Sequence, residues 1–225
     1  AIPERRILLL AIALAAVVAI STGRPRALAM AAHAKERSDT YALPPARMLL
    51  AVSIGYRQAL ADLIWAHVLV TQGLRAQERR PFDHLPLYFD AINTLDPKFR
   101  EPYKYADTLM TFQANDPDKE GSVRAARKIL ERGLLELPSD SELWLNYGEF
   151  LAYVGPGSLT DPKEQDAWRE DGAAALIRAG ELGSRNETIM WRSVAAVGLL
   201  GRKEAERAAL IHFLERVYVM TEDIE

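Results

Sequence analysis

The chain has 225 residues, 49% of them hydrophobic and 26% charged, enough to bury a sizeable core. Its net charge of −3 and pI near 5.9 argue against nonspecific nucleic-acid binding, which needs a basic face. The absence of cysteine excludes a disulfide framework, thiol catalysis and Cys-ligated zinc or iron–sulfur centres, and it suits both cytoplasm and periplasm.

The first predicted element lies in "ERRILLLAIALAAVVAISTGRPR", apolar from Ile7 to Ile20 between arginines. That run alone is short of the roughly 20 residues a membrane span needs. A helix opened by Pro3 and running to Thr22 is long enough, with Arg5 and Arg6 reaching back to the headgroups. Gly23 and Pro25 end it. The alternative is a cleavable signal peptide, since "ALAMA" and "AHA" supply small-residue cleavage sites. The expectation is an uncleaved single-pass anchor, residues 1–23, with residues 3–22 in the bilayer. Arg5 and Arg6 precede the run and Arg24, Arg26, Lys35 and Arg37 follow it, so charge barely orients it. The usual topology for a lone N-terminal anchor puts the rest of the chain on the periplasmic side of a bacterial inner membrane.

Residues 24–43 read as a polar, Ala-rich connector, and residues 44–225 as a helical domain. Pro44 and Pro45 open the domain. From Arg47 to Leu74 the pattern predicts one long apolar helix, too interrupted by Arg57 and Asp62 to be a second span. After the polar "RAQERRPFDH", a helix is expected over Asp83–Leu95. From there "LDPKF", "LPSDS" and "GSRNE" each separate two amphipathic stretches. Ser139 with Glu142 and Ser184 with Glu187 have capping-box spacing, and "TDPKE" offers Asp161 as cap, Pro162 as first residue and Glu164 as reciprocal partner. No alternating Val/Ile/Thr run predicts a strand. The fold class is all-α, with about eight helices.

One stretch sets the architecture. "SELWLNYGEF" places Trp144, Tyr147, Gly148 and Leu151 on one helix face, although a mid-helix glycine costs about 1 kcal/mol against alanine. Something must need the missing side chain, and the expectation is that the helix holding Ala126–Gly133 passes close over Gly148. The preceding helix supplies Ala126, Leu130, Gly133 and then Pro138; the pair before has Tyr103, Ala106 and Met110 after Leu85, Phe89, Ile92 and Pro97; the pair after has Gly172, Leu176 and Ala179. A last, looser pair runs from Met190 and Trp191 to Ala205 and Ala209. These residue types in this order resemble the tetratricopeptide-repeat (TPR) family, in an N-terminally membrane-anchored bacterial form. The resemblance covers about residues 80–210 and implies a TPR-like α-solenoid of about four helix pairs behind the N-terminal transmembrane helix. Small residues at Gly148, Ala126 and Ala179 would bring the two helices of a pair together, while Trp144, Leu151 and Leu130 fill the gap to the next pair. The 41 residues from Pro97 to Pro138 and the 46 from Pro138 to Ser184 exceed the family period of about 34, and the excess is assigned to loops at "QANDPDKEGS" and "VGPGSLTDPKEQ".

No catalytic, cofactor or metal site is predicted. His33, His67, His84 and His212 are scattered, no HExxH or carboxylate cluster has ligand spacing, and "GPGS" lacks the Lys-Ser/Thr of a phosphate loop. The expected function is protein–protein interaction, as an accessory or assembly subunit of a membrane complex. The alternative is a transient peptide-binding chaperone or adaptor at the membrane surface. Its partners would be other protein subunits, with no nucleic acid and no small-molecule substrate. The resemblance places the first helix of each pair along the inner curve of the stack, giving Lys104, Thr108 and Phe112, then Glu142, Asn146, Glu149 and Tyr153, then Thr188 and Arg192. Lys104, Asn146 and Arg192 coincide with positions that grip a C-terminal carboxylate in some family members; the plainer reading is ordinary polar surface. A second candidate contact is the apolar helix over 47–74, through Leu60 and Trp65.

Overall fold

The structure, a computed structural model, describes residues 43–183 and 186–200 and, further on, Ile211, Glu215 and Tyr218. The expected anchor, the connector and the second helix of the last pair lie outside the described residues. Eight α-helices and no strand occur among those described: α1 Ala46–Val52, α2 Arg57–Glu78, α3 Leu85–Leu95, α4 Arg100–Thr111, α5 Lys119–Glu136, α6 Ser141–Glu149, α7 Pro162–Leu182 and α8 Glu187–Leu200. The unit they form begins at Leu43.

The expected single helix over 47–74 is two. Ser53 caps α1 back onto Leu49, and Ile54 and Gly55 then take left-handed backbone (φ 48° and 91°), which no helix can continue. α2 ends at Arg79, also left-handed (φ 54°), and Pro81 prevents its resumption. α3 follows, two residues shorter at its start than the sequence suggested.

Helix faces repeat at three and four residues and bury accordingly. Leu85, Phe89 and Ile92 of α3, Tyr103, Ala106 and Met110 of α4, and Val123, Ala126, Leu130 and Gly133 of α5 are all buried. Each large side chain here contributes about 1.5–3 kcal/mol on leaving water. Tyr103 occupies the space a side chain at Gly133 would need, its hydroxyl donates to Pro97 O at 3.0 Å, and burial pushes its pKa up to about 12.

Gly148 does meet a neighbouring helix, but not the one expected. A Cβ at Gly148 would sit 2.8 Å from Leu176 Cγ and 2.9 Å from the Leu176 backbone nitrogen, so its neighbour is α7, the next helix in the chain. Gly172 of α7 answers it: a Cβ there would lie 2.7 Å from Ala152 N and 3.0 Å from Gly148 O. The face toward α5 is instead the aromatic one, with Tyr147 Oη donating to Glu131 at 2.9 Å. Trp144, expected to fill the gap between pairs, is only half-buried, whereas Leu151 and Leu130 are fully buried.

The caps differ in detail. Asp140, not Ser139, caps α6 by accepting from the backbone of Glu142 and Leu143, because an aspartate one residue nearer the helix reaches both N–H groups. Asp161 caps α7 as expected with Pro162 following, but Glu164 turns away to Arg124. Ser184 lies outside the described residues. Of the two expected loops, residues 113–118 of the first are turn and coil as expected, whereas the second is largely helical. Lys119 starts α5 under the Asp118 cap, and α6 runs on through a π turn at Phe150–Val154 into a 3-10 turn at Gly155–Ser158.

Candidate protein-binding surface

The predicted surface residues of α4, α6 and α8 meet one another. Lys104 Nζ donates to Glu142 Oε1, and Arg100 donates to both Asp140 and Glu142. Asn146 Nδ2 donates to Lys104 O at 2.7 Å and approaches Asp107 Oδ1 at 3.5 Å. One helix further on, Arg192 Nη2 donates to both oxygens of Glu149, at 3.1 and 2.8 Å, and Tyr153 Oη donates to Ala196 O. Thr108 donates to Asp107, whose side chain it shares with Asn146.

These contacts define the charge states. Hydrogen bonds from Lys104 and then Arg100 hold the Glu142 carboxyl below the usual carboxylate range. Burial pushes Asp140 up, but Arg100 and the α6 backbone N–H groups outweigh it and leave the pKa lowered. Asp107 goes the other way: burial raises it, and its bonds from Thr108 and Asn146 do not compensate.

The carboxylate grip that the resemblance implied is therefore occupied from within. A terminal carboxylate would have to displace Glu142 from Lys104 and Glu149 from Arg192. What faces outward along the same helices is Thr108, Phe112 (67% exposed), Tyr153 (42%), Thr188 and Arg192. Of the α2 candidates, Leu60 is half-buried and Trp65 is buried, its ring within 6.0–6.4 Å of Phe89, Tyr105 and Phe99. Trp65 is thus a core residue and not a surface contact.

A matching set of ties, not read from the sequence, joins α3, α5 and α7. Arg124 donates to Glu164 at 3.0 and 2.7 Å, Arg127 to Asp171 at 2.7 Å while standing 4.9 Å over the Trp168 ring, and Arg132 to Asp90 at 3.0 Å. Both sets recur at similar spacings: 38 residues for Lys104–Glu142, 40 for Arg100–Asp140 and Arg124–Glu164, 42 for Arg132–Asp90, 43 for Glu149–Arg192 and 44 for Arg127–Asp171. These separations bracket the 41 residues from Pro97 to Pro138, so opposite charges some 38–44 residues apart were the signal the sequence held. Between α5 and α7 opens a groove of about 550 Å³, with Leu134, Leu135, Trp144 and Ala174 between the charged walls of Arg127 and Arg178.

No protein-family model, curated protein or solved structure matches this chain. Among the described residues no group of His, Asp or Glu could hold a metal ion, and no helix is long and apolar enough to cross a membrane.

Proposed function

We propose that this chain is a membrane-anchored, TPR-like helical scaffold, an accessory or assembly subunit of a membrane complex that works by protein contact and not by catalysis. The observation that carries the reading is the recurrence of cross-ties at 38–44 residues on two rows of helices. Offsets confined to this range fit a stack of similar helix pairs, each pair bonded to the next. The anchor at residues 3–22 tethers the stack to a bacterial inner membrane, with the soluble part on the periplasmic side. The contact surface on this reading is the outward row of α4, α6 and α8, where Phe112 and Tyr153 supply the aromatic area typical of protein interfaces.

Affinity purification of the tagged full chain from membranes in mild detergent tests this. One partner recovered at constant ratio is expected, and Phe112→Glu should reduce its recovery without loss of helicity. A shifting, substoichiometric mixture of clients supports the transient peptide-binding adaptor instead. Recovery of the chain alone, or a partner indifferent to Phe112→Glu, sinks this assignment of the surface.

A further inference from the structure

Half of the large apolar side chains exposed among the described residues, eight of sixteen, fall between Met48 and Leu74. They are not scattered. Leu63 (69% exposed), Val70 (65%) and Leu74 (53%) stand at offsets of 0, 7 and 11 on α2, with Ala59, Ala66 and Gly73 on the same side. The opposite face, Ala61, Ile64 and Val68, is the core contact. α2 is therefore apolar on both faces while only one is covered, and apolar surface gathered in this way marks an interface. Ile54 (83%) and Tyr56 (76%), in the turn before α2, extend the patch.

Charge indicates what covers it. Residues 1–80 hold 11 Lys and Arg against 5 Asp and Glu, a net +6; residues 81–225 hold 17 against 26, a net −9. The two parts sum to the −3 of the whole chain. Exposed Arg47, Arg57 and Arg79 stand at the ends of α1 and α2, and the only acids between residues 43 and 80 are Asp62 and Glu78. An apolar stripe ended by arginines, a tyrosine at its margin and a basic first third of the sequence fit an interface with anionic lipid. A second copy of α1–α2 would set these arginines against their own kind.

We propose that the outward face of α1–α2 lies on the surface of an anionic bilayer, with Leu63, Val70 and Leu74 at the acyl boundary and Arg47, Arg57 and Arg79 at the lipid phosphates. The inference rests on reading the chain as a membrane protein, and it adds a second, peripheral contact to the anchor. The arginine-flanked face of α1–α2 then lies against the lipid.

The cysteine-free sequence makes the test clean. The full chain carrying Val70→Cys, and separately Leu63→Cys or Leu135→Cys, takes one environment-sensitive fluorophore. It is reconstituted into vesicles of phosphatidylcholine and phosphatidylglycerol in equal amounts. Leu135, 83% exposed on α5, is the control. Lipid-borne quenchers should quench the probes at positions 70 and 63 several-fold more than that at 135, and pure phosphatidylcholine or high salt should reduce the difference. Probes at 70 and 63 as open to aqueous iodide as that at 135 overturn the proposal. So do probes shielded from both quenchers, since protein then covers the face. Carbonate extraction separates the anchor from this surface: vesicles that keep the chain while position 70 stays wet overturn the surface alone. Lipid quenching at position 70 in a chain that carbonate strips off overturns the anchor alone.

Discussion

Gly148→Ala weighs two opposed effects in one side chain. Helix propensity favours alanine by about 1 kcal/mol. Against it, the new Cβ would sit 2.8 Å from Leu176 Cγ, 2.9 Å from the Leu176 backbone nitrogen and 3.0 Å from Cδ2. The side-chain atoms could move by a rotamer change, but the backbone nitrogen belongs to a 21-residue helix and moves only if α7 does. α7 is itself held on the other side of the contact, where Gly172 rests on Ala152. Overpacking of this kind costs about 1–3 kcal/mol. Gly73→Ala is the internal control, for Gly73 also lies within a helix but has nothing within 4 Å of the added Cβ. Gly73→Ala should therefore gain about 1 kcal/mol, while Gly148→Ala should lose up to about 2 or at best break even. For a chain of 225 residues each kcal/mol is worth roughly 2–4 °C in Tm. Thermal melts followed by far-UV circular dichroism, with the full chain in one detergent, should rank Gly73→Ala above wild type and Gly148→Ala below Gly73→Ala by the overpacking cost. Equal stabilisation by the two substitutions would show that Gly148 faces open space and that the α6–α7 packing described here is wrong.

Other outcomes follow from the same contacts. Asp140→Ala should lose about 1–2 kcal/mol in urea unfolding through the lost cap, whereas Ser139→Ala should stay within about 0.5 kcal/mol of wild type; the reverse ranking returns the cap to Ser139. Asn93 is 1% exposed and neither side-chain polar atom has a hydrogen-bond partner among the described residues, so Asn93→Leu should raise stability by about 1–3 kcal/mol, and a loss would reveal a partner for the amide. Asp140 and Glu142 have pKa values below their unfolded ones, so their contribution is present above roughly pH 4 and lost as pH falls through the folded values. Asp107, raised by burial, has the opposite sign: its charged form destabilises the fold at neutral pH, and the penalty disappears as pH falls through its folded value. Urea unfolding across the acid range should then show Asp107→Asn more stable than wild type at neutral pH and the advantage shrinking on acidification; an advantage that grows as pH falls would refute this sign.

What the sequence reveals here is local. Tyr103, Ala106 and Met110, or Val123, Ala126 and Leu130, identify their helix faces by spacing alone, because burial follows helical period. Asp161 followed by Pro162 announces a helix start for the same reason. Gly148 shows the limit. Its spacing says that a backbone must pass close by, but α5 and α7 both flank α6, and only the packed structure shows that α7 takes the glycine side and α5 the aromatic side. The break at Ile54–Gly55 is hidden because "SIGY" sits inside an unbroken apolar pattern and the left-handed isoleucine carries no signal. Trp65 looks like a contact residue in a list of apolar positions, yet the core of α2–α4 claims it. Lys104, Asn146, Glu149 and Arg192 hide their roles in another way: as polar residues on helix faces they suit a ligand or plain surface equally, and each in fact bonds a neighbour about 40 residues away.

That spacing bears on how the protein meets mechanical load. Every inter-helix tie described above reaches to the next pair and no further, and Phe82 N to Gln113 at 31 residues and Asn115 to Arg79 O at 36 follow the same rule on a shorter span. Tension applied between the two ends of the described helices would therefore be borne in series through these ties, pair after pair. Rupture should advance in discrete steps from whichever end is weakest, each step releasing about 40 residues of slack. A chain held in this way should yield gradually to a pull, lengthening by one notch at a time.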